Sequence, residues 1–263
     1  MQLRSSTPGS MSAPRAVVLD FGGVLTEVHH DDGGFRATAE AVAGVLDRAG
    51  AVRRSVDEIE ADLRAGSAAY EKWKRAESDH FSPREVSHRE FWDRFVTTDW
   101  SPAARAVVAA EAASLCRIFE ATTVIRPPRR GARELLETLA ARGIGRALVC
   151  NTLSAVGTRQ LMVDYGFDPL VPVQIYSDEA GIRKPNPNLL IWAMTALDVA
   201  PADVWYVGDK YDRDVFAARR AGVAAVLMTS GDTDPDQSAG IEPDLVVPDP
   251  AALADAVIAS VEA

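Results

Sequence analysis

The sequence predicts an α/β fold, a doubly wound parallel sheet with an inserted α-helical domain. Three observations carry this prediction. Short apolar runs recur and end at a polar residue or a glycine; helical segments separate most of them; and residues 31–124 show helical patterning without a convincing strand. An apolar run bounded by turn signals suits a strand buried on both faces. Alternation of such runs with helices suits stacked strand–helix–strand units.

In chain order, residues 1–14 are polar and rich in Ser and Pro, without the apolar stretch of a signal peptide. They are expected to form a disordered tail, with Met11 an alternative start. A core domain is expected over 15–30 and 125–263, and a helical domain over 31–124. The apolar run from Ala16 ends at Asp20 and is followed by Gly22 and Gly23, which suit a sharp turn. Thr26–Gly34 is expected to be a flexible connection. Helices are expected over 37–49, over 56–64 with a stop near Gly66, and over 68–76. Ser82-Pro83-Arg84-Glu85 has the pattern of a capping box opening a helix that carries Phe91, Trp92 and Phe95, and Ser101-Pro102 opens another.

Pro127-Pro128 marks the return to alternation. A helix over 133–141 precedes a strand over 146–149 that leads into Cys150-Asn151-Thr152. A helix over 159–165, a strand over 171–175 and a loop over 177–185 follow. After a helix capped by Asn186-Pro187, a strand over 204–207 ends at Gly208-Asp209. A helix over 212–221, strands over 224–228 and 245–247, and a helix capped by Asp249-Pro250 complete the chain.

With 263 residues, 47% of them hydrophobic, the chain can bury a substantial core. Its formal net charge of −10 disfavours nucleic acid and anionic membrane as partners, so an anionic substrate needs a local positive site. Cys116 and Cys150 have no metal-like spacing and suit a reducing cytoplasm, with no zinc site.

In a parallel sheet all strand ends share one edge, so Asp20, Cys150-Asn151-Thr152, Lys184, Asp209 and Asp214 can converge. Carboxylates brought together repel unless a cation lies between them, and hard oxygen donors suit Mg²⁺. A lysine beside them would hold a phosphoryl oxygen, which points to phosphoryl transfer. The bland alternatives are an N-cap for Asp209, a first-turn charge for Asp214 and a small buried hydrophobe for Cys150.

The ordered set resembles the haloacid dehalogenase superfamily of hydrolases, mostly phosphatases. Asp20-Phe21-Gly22-Gly23-Val24-Leu25 matches the nucleophile motif and Leu148-Val149-Cys150-Asn151-Thr152 the second motif. Gly181-Ile182-Arg183-Lys184-Pro185 supplies the lysine, and Gly208-Asp209-Lys210-Tyr211-Asp212-Arg213-Asp214 the acidic motif. The resemblance implies that residues 31–124 form that family's cap of the first type. It implies catalytic Asp20 and Lys184, with an aspartyl-phosphate on Asp20. It also implies Mg²⁺ held by Asp20, the Gly22 carbonyl and Asp209, with Asp214 a further ligand or a support for the ligands, and substrate contacts from Cys150, Asn151 and Gly23. The expected substrate is a small phosphorylated metabolite such as a sugar phosphate.

Two positions depart from the motifs. Gly22 stands where the usual phosphatase has a second Asp as general acid and base, and Cys150 stands where Ser or Thr is usual. Thr152 has the same strand parity as Cys150, and His29 or His30 are candidates for the missing acid. The competing readings are a catalytically weak or silent protein that keeps the fold and binds a phosphorylated ligand or a partner, a metal-free dehalogenase, and a phosphonate-cleaving enzyme using Lys72 or Lys74.

Overall fold

The computed structural model describes residues 11–263 apart from 52, 53 and 239. The first ten residues of the expected tail lie outside the described residues. Residues 11–14 are held rather than loose: Met11 packs against the core, and the Ser12 carbonyl accepts from the Trp205 indole at 3.1 Å.

The chain runs β1 (Ala16–Leu19), β2 (His29–His30), α1 (Gly33–Arg48), α2 (Val56–Ser78), α3 (His88–Phe91), α4 (Pro102–Ala110), α5 (Ala112–Thr123) and β3 (Val124–Ile125). It continues through α6 (Ala132–Ala141), β4 (Gly145–Cys150), α7 (Ala155–Asp164), β5 (Val173–Tyr176), α8 (Ser177–Ala180) and α9 (Asn188–Leu197). It ends with β6 (Val204–Gly208), α10 (Phe216–Ala221), β7 (Ala224–Met228), β8 (Leu245–Val247) and α11 (Pro250–Glu262). None of the helices is long and apolar enough to cross a membrane, among the described residues.

Six strands form one parallel sheet in the order β5-β4-β1-β6-β7-β8, as the α/β pattern predicts. Ala16 lies opposite Gly145 on one side and Val204 on the other. Successive side chains of a strand point to opposite faces. Val17 and Leu19 therefore join Leu135, Leu139, Leu253 and Val257 of α6 and α11, whereas Ala16 and Val18 join Leu189, Leu190 and Ala193 of α9. Both faces are covered, which is why β1 is apolar at every position. The strand order turns back at β1, and the crevice beyond the carboxyl ends of β4, β1 and β6 is where such sheets place ligands.

Helices α1–α5 enclose their own apolar cluster around Phe91, Trp92, Leu63 and Phe119. Three local expectations change here. Gly66 does not stop a helix: α2 is continuous, and a Cβ at Gly66 would lie 2.5 Å from the Phe95 carbonyl oxygen, so the glycine serves a close approach. The capping box belongs to Ser87 and Glu90, not to Ser82 and Glu85, because Glu85 is buried against Arg183. The flexible connection contains β2, which pairs antiparallel with β3, and the start of α1. This two-stranded ribbon ties together both crossings into the inserted helices.

Candidate functional site

Asp20 stands one residue beyond β1, and its Oδ1 accepts the Phe21 N–H at 2.7 Å. The chain then makes a tight turn, with Gly23 at φ +76° and its N–H donated to the Thr26 carbonyl. On the neighbouring strand ends stand Asn151 after β4 and Asp209 after β6. Asp214 is buried in a π-helical turn ahead of α10, where its Oδ2 accepts from the N–H groups of Asp209 and Lys210 at 3.2 and 3.0 Å.

Lys184 joins these segments. Its ammonium lies 2.9 Å from Asp20 Oδ1 and 2.8 Å from Asp214 Oδ1, and it donates to Tyr206 Oη at 2.8 Å. All three of its donors are thus used. Tyr206 in turn donates to Asp214 Oδ1 at 2.7 Å. Burial opposes the charge on Lys184, but the Asp20 and Asp214 carboxylates outweigh it and hold the lysine above its ordinary range. Burial pushes Asp20 up to about 6, against the pull of Lys184 and with the repulsion of Asp214 and Asp209. Burial also raises Asp209, helped by Asp214, while Lys184 keeps Asp214 low despite its burial.

Oxygens of Asp20, Asp209 and Asp214 lie within 4.8 Å of one another. This all-carboxylate donor set suits a hard divalent cation rather than zinc, and the raised Asp20 and Asp209 are carboxylates that a cation would return to the charged form.

Asp20, Gly22, Cys150, Lys184 and Asp209 line a cavity of about 600 Å³. The inserted helices supply its other wall, including Tyr70, Lys74 and Glu120. Lys74 is ion-paired with Glu71 and lies over the Tyr70 ring. Lys72 does not line the cavity; His30 does, whereas His29 is bonded to Glu27 outside it.

The residues expected to contact substrate have these surroundings. Gly23 is not among the lining residues, and its would-be Cβ falls 2.3 Å from Asp209 Oδ2, so it makes room for that carboxylate. Both polar atoms of the Asn151 side chain bind the Lys184 backbone, Oδ1 accepting from its N–H at 2.8 Å and Nδ2 donating to its carbonyl at 3.2 Å. Asn151 therefore clamps the lysine loop. Burial pushes the Cys150 thiol up, so it stays neutral. Thr152 also lines the cavity, and its hydroxyl donates to Glu120 Oε2 at 2.7 Å.

Sequence reasoning missed Tyr206 and Ser230, whose hydroxyl donates to Asp209 Oδ2 at 2.7 Å. A tyrosine inside an otherwise apolar strand two residues before Gly208 was the available signal for the first. Ser230 carries no such signal.

A sequence profile of the haloacid dehalogenase-like hydrolases matches residues 14–222. The chain belongs to this family. Among curated members, phosphoserine phosphatase of Thermus thermophilus is 36% identical over 118 residues, which are 45% of this chain and 46% of that protein. Phosphoglycolate phosphatase of Vibrio vulnificus is 31% identical over 128 residues, 49% of this chain and 55% of that protein. Glyceraldehyde 3-phosphate phosphatase of Methanopyrus kandleri is 37% identical over 86 residues, covering 32% and 36%. The chain thus spans about half or less of these haloacid dehalogenase-like relatives. Among solved structures, CbbY from Rhodobacter sphaeroides in complex with phosphate has a TM-score of 0.59 at 19% identity, over 91% of this chain and 96% of that one. A phosphatase of the same superfamily from Thermococcus onnurineus has a TM-score of 0.56 at 17% identity, over 91% and 96%. Those likenesses concern the fold.

Proposed function

We propose that the chain is a phosphatase acting on a small phosphorylated metabolite, such as a sugar phosphate, with Mg²⁺ as cofactor. The observation that carries this reading is the placement of Asp20, exposed to the cavity at the end of β1 with Lys184, Asp209 and Asp214 around it. The names of the matched relatives point the same way.

Asp20, Asp209, Asp214 and the Gly22 carbonyl would hold the ion. When bound, it would offset the charge of the carboxylates and of the phosphoryl oxygens. Asp20 attacks phosphorus and the ester oxygen departs, leaving an aspartyl-phosphate that water then cleaves. Lys184 keeps its proton throughout and fixes the Asp20 carboxylate through a charge-assisted hydrogen bond. Tyr206 and Asn151 hold Lys184 from its side chain and its backbone. The helices between β2 and β3 serve as a cap that encloses the substrate, excludes water and selects by the residues it presents. Both cysteines are free and buried, which suits the cytoplasm.

The test is phosphate release from a panel of phosphorylated metabolites, with Mg²⁺ or with EDTA, for the wild type and Asp20→Asn. Turnover should require both the metal and the carboxylate. Turnover that survived EDTA or Asp20→Asn would replace this reading with a metal-free dehalogenase type or another nucleophile.

A further inference from the structure

The turn after Asp20 holds a glycine whose backbone does not require one. Gly22 lies outside the left-handed region occupied by Gly23 and seven other glycines of the described residues. What a side chain at Gly22 would meet is Arg126: a Cβ there would lie 2.9 Å from Arg126 Nη1, the movable end of that side chain, and 3.1 Å from Val28 Cγ2. The guanidinium of Arg126 fills the space that a side chain two residues after the nucleophile would take. Arg126 and Gly22 both line the cavity with Asp20.

Arg126 is also left without a partner. Among the described residues no hydrogen bond or ion pair engages its guanidinium. Its backbone carbonyl accepts from Tyr165 Oη at 2.8 Å, which fixes the chain but leaves the side chain available. Most other cations of the cavity are ion-paired: Lys184 with Asp20 and Asp214, Arg183 with Glu85, Lys210 with Asp209, Arg213 with Asp212 and Lys74 with Glu71. Arg75, also unpaired among the described residues, belongs to the inserted helices and is not the group that a Cβ at Gly22 would meet. Glu120, which Arg126 influences through space, is occupied by Thr152 and the Leu153 N–H.

We infer that Arg126 is a catalytic residue that replaces the absent acid at Gly22 by charge rather than by proton donation, stabilising the departing ester oxygen as an anion. This rests on the phosphatase reading above. A guanidinium stays protonated at any working pH, so it cannot deliver a proton; five fixed donors beside a developing anion can still lower the barrier. In the first step an Asp20 oxygen bonds to phosphorus and the phosphorus–ester oxygen bond breaks. The electron pair stays on the leaving oxygen, which pairs with Arg126 and takes its proton from water after departure. Esters of weakly acidic alcohols, which leave as the most basic anions, depend on Arg126 most.

The experiment is kcat/KM across aryl and alkyl phosphate monoesters graded by leaving-group pKa, in Mg²⁺, for the wild type, Arg126→Gln, Gly22→Asp and the double variant. Arg126→Gln should lose roughly 10²–10³-fold on alkyl esters and little on 4-nitrophenyl phosphate. Guanidinium ion added to Arg126→Ala should recover part of that loss, a response that a merely structural role would not produce. Gly22→Asp alone should not speed alkyl esters, because its carboxyl pairs with Arg126. That pairing has its own readout without turnover: in EDTA, Gly22→Asp should lower Tm less in the wild type than in Arg126→Gln. A uniform loss across all esters in Arg126→Gln, with no rescue by guanidinium, would overturn the inference and leave the phosphatase reading standing. A wild type that releases phosphate from no ester would overturn both.

Discussion

Asn151 sits on no regular element, yet it settles where Lys184 can be. Its amide matches the N–H and the carbonyl of one residue 33 positions away, so it behaves like a short piece of strand offered to a loop. Asn151→Ala leaves two backbone groups without partners in a part-buried place, and that costs about 1–3 kcal/mol for each such group where it is shut off from water. Urea unfolding should show a loss of that order, and KM should rise because Lys184 is no longer fixed against Asp20. Asp20, Lys184, Asp209 and Asp214 were legible in the sequence as an ordered set: Asp20 and Asp209 follow strands, Lys184 lies in a loop and Asp214 five residues after Asp209, and none of them is telling alone. The work of Asn151 was not. A side chain that binds main chain leaves no pattern in the letters of its partner, and the same holds for Ser230 on Asp209.

Elements were legible where an apolar run is unbroken, as in β1, β6 and β7, or where a helical period is, as in α6. They failed where one residue type has two uses. Glycine is a poor helix former and suggests a stop near Gly66, whereas its missing side chain lets α2 approach the Phe95 backbone. The two effects oppose each other in Gly66→Ala. Helix propensity would gain up to about 1 kcal/mol, but a methyl 2.5 Å from a carbonyl oxygen forces a backbone shift that costs typically 1–3 kcal/mol. The variant should therefore melt below the wild type, and an equal or higher Tm would mean that the helices can separate freely. Likewise Ser82 and Ser87 are both followed by glutamate three residues on, and only burial decides that Glu85 goes to Arg183 while Glu90 caps a helix.

At the scale of the whole molecule the inserted helices are bonded to the sheet domain through contacts that respond to pH. His88 of α3 lies 3.3 Å from Asp178 of α8 and is raised above its ordinary value by that hydrogen bond, against its burial; the Leu153 backbone and Glu120 also face it and act in the same direction. A raised histidine contributes its full stability below its unfolded pKa of about 6.5 and loses it as the pH rises through the higher folded value. The difference in Tm between wild type and His88→Gln should thus be larger near pH 5.5 than near pH 8, with the difference small in both because His88 is part-exposed. A difference that grew toward alkaline pH would mean that the neutral imidazole makes the contact.

The strand order has a consequence in time. β1 is among the earliest parts of the chain to be synthesised, but its two partners, β4 and β6, begin 129 and 188 residues after Ala16, at Gly145 and Val204. Parallel pairing over such separations is intrinsically slow, because loop closure must precede the contacts that reward it. The segment bearing Asp20 therefore leaves the ribosome long before anything can enclose it, and waits for Lys184 and then for Asp209 and Asp214. A nascent chain cut before Val204 would carry Asp20 and Lys184 with neither of the other two carboxylates. The cluster of Asp20, Lys184, Asp209 and Asp214 is therefore complete only when Asp214 has emerged and folded, and topology alone sets that order.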